Sequence, residues 1–256
     1  AQQSRHYHSP EHEFTRAKEL FDKQQYGSSK SLFTQVYQKI EDNFDTRKQT
    51  ALFHMALCAT ILYHDDAEQL AYYFASEYPQ YMDLDRMWFH LGEYFFTKKQ
   101  YKKALVEYQK INPKILTEEE KASYEFKMAY GYFIQDMYAE AKPLFSSVMQ
   151  SENDYKNKSI FYYSHILYTE KSYNAALQGF TRLINEETYS EIVPFYVAHI
   201  YFGTERYNEI IAQKDELLSK SSKKRLPEIN GIIAQSYFQI QKYREAIPYF
   251  EEHIKT

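Results

Sequence analysis

The chain has 256 residues, 44% hydrophobic and 26% charged, with a formal net charge of −4. This composition forms a core and is not that of a disordered chain. Its mild acidity gives no electrostatic reason to expect nucleic acid or an anionic membrane surface as partner. A single cysteine, Cys58, excludes a disulfide framework or a Cys-based metal centre within the chain. No apolar run approaches the roughly 20 residues of a membrane span.

Aromatic residues are abundant, with 27 Tyr and 18 Phe, against only 6 Gly and 7 Pro. So many rings and so few turn residues read as long helices with short connections. Residues 1–9 are polar and are expected to form a flexible N-terminal segment. The opening "AQQ" is compatible with a mature chain after cleavage at a small residue, and equally with an arbitrary chain boundary. His6, His8 and His12 have no fixed geometry in such a segment, so no metal site is expected there. Ser9-Pro10-Glu11 has the pattern of a helix start, with Ser as N-cap and Pro at the first helical position.

From residue 10 onward one pattern recurs. Tyr26, Ala67, Tyr101, Tyr138, Tyr173, Tyr207 and Tyr243 are spaced by 41, 34, 37, 35, 34 and 36 residues. Three residues after each come Ser29, Leu70, Ala104, Ala141, Ala176, Ile210 and Ala246. Four further on stand Phe33, Phe74, Tyr108, Phe145, Phe180, Lys214 and Phe250. Offsets of three and four place each trio on one helical face.

A second column lies twelve residues before the small position: Ala17, Cys58, Gly92, Ala129, Ser164, Ala198 and Ala234. All seven are small. Large residues follow three positions on, from Leu20 to Tyr237. Each unit is thus two helices that approach closely at small residues, with aromatic rings filling the space around the crossing. The units expected are 10–43, 51–84, 85–118, 122–155, 157–190, 191–224 and an incomplete 227–256, together a single domain over 10–256. Between them, "NFDTRKQT" (43–50) reads as an insertion and "EEEK" (118–121) as a helix start. "SKSSKKRL" (219–226) reads as a solvated basic loop.

The period and the columns resemble the tetratricopeptide repeat (TPR). Trp88, Leu91, Gly92, Phe95, Tyr101, Ala104 and Tyr108 carry the resemblance best. Phrases such as "WFHLGEYFFTKKQYKKAL" and "FKMAYGYFIQDMYAEAKPLF" are similar to long TPR proteins of the Bacteroidetes cell envelope. The chain departs from the pattern in three respects. The turn Gly is missing from every unit, with Lys99, Asp136 and Lys171 standing in its place. Leu70 replaces a small residue. Ile210 and Lys214 make the second helix of unit six atypical.

The resemblance implies an all-α, right-handed superhelical solenoid of about seven antiparallel helix pairs, with first helices lining a concave groove. The residues it assigns to that groove are Phe89, Glu93, Phe96, Phe126, Tyr130, Phe133, Phe161, His165, Tyr168, Phe195, His199 and Phe202. Two aromatic rails with a polar centre suit a peptide or a partner protein. The same rings could instead serve only to pack neighbouring helices. No Gly-rich phosphate loop, nucleophile elbow or zinc-protease motif occurs. The expectation is a non-catalytic scaffold without cofactor or metal, exported to the periplasm or outer membrane. The alternatives are a cytoplasmic adaptor, or an envelope protein binding a glycan or lipid. The last helix, with Ala246, Ile247, Phe250 and Ile254, offers an apolar face for self-association or for a continuing repeat array.

Overall fold

The computed structural model describes residues 9–255, and every regular element among them is a helix. The expected 1–9 segment, with its "AQQ" start and with His6 and His8, falls outside the described residues apart from Ser9. The chain divides into two compact units, 1–135 and 136–256. Unit 1 contains α1 (Pro10–Asp22), α2 (Tyr26–Lys39), α3 (Thr46–Ile61), α4 (Ala67–Glu77), α5 (Leu84–Thr97) and α6 (Tyr101–Tyr108). A 3-10 turn (Pro113–Ile115) then leads to α7 (Glu118–Phe133). Unit 2 contains α8 (Tyr138–Val148), α9 (Lys156–Thr169), α10 (Tyr173–Leu183), α11 (Val193–Gly203), α12 (Tyr207–Ala212), α13 (Lys214–Lys220), α14 (Leu226–Gln239) and α15 (Tyr243–Ile254).

Local chemistry explains where first helices begin. The Ser9 hydroxyl accepts the His12 N–H at 3.3 Å, and Pro10 occupies the first helical position. The Asp45 carboxylate accepts the Arg47 N–H at 2.8 Å, so helix α3 starts at Thr46, inside the segment 43–50 read as an insertion. "TEEE" forms a capping box. Glu120 N–H donates to the Thr117 hydroxyl at 3.2 Å, and Thr117 N–H donates to the Glu120 carboxylate at 2.9 Å.

Within each unit the small columns lie at the helix crossings. Ala17, Cys58, Ala129, Ala198 and Ala234 have no exposed surface, and Ser29, Ala141, Ala176 and Ile210 have none either. Ser29 adds a bond across its crossing, its hydroxyl donating to the Ala17 carbonyl at 2.9 Å. The rings of Phe33, Phe74, Tyr108, Phe145 and Phe180 are fully buried beside these contacts. Two positions differ from the alignment. In α4 the fully buried small residues are Ala67 and Ala71, while Leu70 keeps some exposure, so the contact face is turned by one residue. In the sixth repeat the second helix breaks at Gln213, and Leu217 on α13 takes the buried place expected for residue 214.

The missing turn glycines leave a clear backbone signature. Gln24, Tyr63, Lys99, Asp136, Lys171, Glu205 and Gln241 all have φ between 57° and 62°. Each follows a first helix and closes it with an αL residue. The next N–H then reaches back five residues, as in Gln100 N–H to Phe95 O at 2.8 Å and Ser172 N–H to Leu167 O at 2.8 Å. The αL region costs an L-residue roughly 1–2 kcal/mol, against about 0.5–1 kcal/mol of extra unfolded-state freedom for glycine. Lys99→Gly and Lys171→Gly are therefore expected to stabilise by about 0.5–1 kcal/mol each. Chemical denaturation of both single variants and the pair checks this; a loss of stability in each would contradict it.

Candidate binding surfaces on the first helices

A ring pair five residues apart spans these turns. Phe21–Tyr26, Phe96–Tyr101, Tyr168–Tyr173, Phe202–Tyr207 and Phe238–Tyr243 have centroids 5.1–5.9 Å apart at interplanar angles of 56–70°. The outer rail at the ends of the first helices is thus held by the Tyr that opens the second helix, edge-to-face in four pairs and tilted in Tyr168–Tyr173. In the sequence those tyrosines stand out only as repeat markers.

In unit 1, Tyr130 of α7 joins Phe96 and Tyr101 in a triangle of rings, at 5.8 and 5.3 Å from them. Phe126 and Phe133, on the same helix, flank Tyr130 at 6.2 and 6.3 Å in stacked orientation. Phe89 and Phe126 are buried, at 5% and 6% exposure, so they support the surface and do not form its open face. Phe96, Tyr130 and Phe133 remain partly exposed. Glu93 is not a free polar centre. Its carboxylate accepts the Tyr108 hydroxyl at 2.6 Å and is ion-paired with Lys127. The Lys127 ammonium also lies 5.6 Å from the Phe96 ring centroid, a cation–π distance.

In unit 2 the rings converge on Tyr196, which the groove assignment omits. It stacks on Phe180 at 4.6 Å and 8°, and lies 5.4–6.0 Å from Phe161, His165, Tyr168 and Phe195. Burial pushes its hydroxyl pKa up. The signal that finds it is an aromatic 16 or 17 residues after the helix-two ring. Tyr108 and Tyr124, Phe145 and Tyr162, and Phe180 and Tyr196 are all in contact at that offset.

Next to this cluster, His199 packs on Phe195 at 4.3 Å, and its Nε2 lies 3.0 Å from the Glu228 carboxylate. The Arg225 guanidinium sits 4.0 Å over the Phe195 ring and 3.6 Å from Glu228. His165 and His199 are thus engaged by different neighbours, Tyr196 and Glu228. Burial lowers the His165 pKa. Phe161, His165, Tyr168, Phe195, His199 and Phe202 are all partly exposed. No group of three His, Cys, Asp or Glu side chains is placed to hold a metal ion among the described residues. Burial raises the Cys58 thiol to about 11, so it is not a thiolate at neutral pH.

Helix pairs of this kind occur in solved structures. The C-terminal part of a TPR repeat-containing protein from Cytophaga hutchinsonii superposes with a TM-score of 0.61 at 15% identity, covering 94% of each chain. The chain has the tetratricopeptide-repeat fold. A TPR protein from Parabacteroides merdae matches at TM-score 0.50 and 12% identity, covering 95% of this chain and 91% of that one. The apo form of RapI matches at 0.55 and 17%, covering 95% and 75%. Two of these three come from Bacteroidetes, the group whose TPR proteins the sequence resembles. No protein-family model and no curated protein sequence matches the chain significantly.

Proposed function

We propose that this chain is a non-catalytic interaction scaffold whose first helices receive a peptide or partner protein, within a cell-envelope assembly in the periplasm or at the outer membrane. The TPR fold and the TPR scaffolds among its structural neighbours support the general reading. One observation carries the binding surface: partly exposed rings stand on successive first helices, each already fixed by stacking with its neighbours. Such rings lose little conformational freedom when a ligand covers them, which is the condition for aromatic hot spots. The envelope setting rests on the resemblance to Bacteroidetes envelope proteins. No helix among the described residues is long and apolar enough to cross a membrane.

The test is crosslinking and co-purification from source cells, followed by affinity measurement with the partner recovered. Tyr130→Ala and Tyr168→Ala are each expected to weaken that complex by about 1–2 kcal/mol. Unchanged affinity in both variants would remove these surfaces from the proposal. Cell fractionation tests the setting, with recovery in the periplasmic or outer-membrane fraction as the expected result.

A further inference from the structure

The three connections from a second helix to the next first helix in unit 1 share a feature. Each exposes one large apolar side chain: Phe44 (89%), Met82 (89%) and Ile115 (38%). Single exposed apolar residues are ordinary on protein surfaces. One in every such loop, at intervals of 38 and 33 residues, is a pattern. The corresponding loops of unit 2, 149–155, 184–192 and 221–225, expose no large apolar side chain. There Tyr189 folds inward and stacks on Phe161 at 5.3 Å.

Antiparallel helix pairs place these loops along one edge, and contacts in unit 1 agree. Tyr81 of the second loop packs on Phe53, midway along α3, at 4.9 Å. In the third loop Asn112 N–H donates to Asp85 at 3.3 Å, and the Ile115 carbonyl accepts from Arg86 at 3.4 Å, both at the start of α5. The third loop therefore lies against the first turn of the preceding first helix, and the second loop against the middle of its own. Neighbouring helices sit about 8–10 Å apart, which sets the spacing of successive loops and gives three of them a span of roughly 20 Å along one edge.

The charges around the stripe point to its partner. Glu41, Asp42, Asp83, Glu118 and Glu119 are exposed in or beside these loops. Three nearby cations are ion-paired within the chain, Arg47 to Asp45, Arg86 to Glu120 and Lys110 to Glu107, while Lys48 donates to the neutral Asn43 side chain. Lys48, Lys114 and Lys121 are the remaining cations in or beside these loops, against the five exposed acids. An acidic rim around an apolar stripe repels anionic lipid and attracts a basic apolar surface. A seven-residue repeat on an α-helix advances about 10.5 Å, close to the spacing of the loops. We infer that the loop edge of unit 1 docks a basic amphipathic helix of a partner protein, with apolar side chains at seven-residue intervals. This edge carries none of the residues assigned above to the first-helix surfaces.

Fluorescence anisotropy with two labelled peptides tests the inference. One is a Leu/Lys amphipathic helix of about five turns, and the other is its Leu/Glu counterpart. The full chain is expected to bind the Lys peptide, with affinity falling as salt rises, and to reject the Glu peptide. Phe44→Ser/Met82→Ser/Ile115→Ser should weaken binding roughly tenfold or more with an unchanged circular dichroism spectrum. Asp83→Lys/Glu118→Lys/Glu119→Lys should weaken it and flatten the salt dependence, without touching an apolar contact. The inference is overturned if the Lys peptide fails to bind or binds both variants as it does the parent chain. Equal binding of the Glu peptide also overturns it. Sedimentation with phosphatidylcholine vesicles that is lost in the Ser variant would assign the edge to lipid instead.

Discussion

Gly92→Ala is expected to cost about 2 kcal/mol, and Gly92→Phe at least as much. A Cβ at residue 92 would stand 2.4 and 2.6 Å from two Tyr108 ring carbons and 2.9 Å from a third. The ring cannot easily yield. It is fully buried, it meets Tyr124 edge-on at 5.5 Å, and its hydroxyl donates to Glu93 at 2.6 Å. Relief requires either α5 to move away from α6 or the hydroxyl to give up a charge-assisted bond. Gly27 provides the control, since a Cβ there meets nothing within 4 Å. Gly27→Ala in helix α2 should be neutral or gain up to about 1 kcal/mol. Urea denaturation of the three variants distinguishes steric overpacking from a general dislike of substitution. A Gly92→Ala protein as stable as the parent would show that the crossing is not tight. Combining Gly92→Ala with Tyr108→Leu should recover part of the loss, because it removes the atoms that clash.

The same crossing explains why the repeat is legible in the amino-acid sequence. A small residue wherever two helices touch is a steric necessity, and seven consecutive ones make a column visible in the sequence alone. The second repeat shows the limit. Leu70 occupies the aligned position, but a longer connection after Tyr63 turns the face so that Ala67 and Ala71 are buried instead. The αL turns are hidden for another reason: Lys, Gln, Glu, Asp and Tyr all adopt φ near 60° here, and none of them advertises it as glycine would. The candidate surfaces are legible as positions and not as contacts. The pattern places Phe96 and Tyr168 at the ends of first helices, yet their ring partners Tyr101 and Tyr173 lie across a turn. Glu93 reads as a free polar centre because its partners, Tyr108 and Lys127, are 15 and 34 residues away. Periodicity reports which residues share a helix face. It does not report which side chain on the next helix has already claimed them.

Acid should destabilise this protein well above the range where carboxylates titrate. Burial and the nearby Arg86 charge hold the His90 imidazole down at about 4, against 6.5 for a free histidine. His54, stacked on Phe33 at 4.7 Å, and His165, beside Tyr196, are lowered by burial in the same direction. Each holds a proton less readily in the folded chain than in the unfolded chain, which takes one up below 6.5. The unfolded state therefore binds more protons, and stability falls as pH falls from 6.5 towards the folded value. Above 6.5 both states are neutral and these groups impose no slope. One pH unit within the window costs about 1.4 kcal/mol for a fully shifted group. His90 alone should thus remove roughly 2 kcal/mol by pH 5, with His54 and His165 adding to it. For a chain of this length that is a fall of several degrees in melting temperature, about 4–8 °C. The Arg86–Glu120 pair sits next to His90, but its carboxylate is already held below the usual range, so its loss belongs to lower pH. His90→Gln separates the two effects. It keeps a polar side chain of similar reach and cannot titrate, so the drop between pH 7.5 and 5 should shrink by about 2 kcal/mol while the low-pH limb stays. Equal drops in parent and variant would mean that His90 is protonated in the folded chain and that its surroundings are wetter than its packing implies.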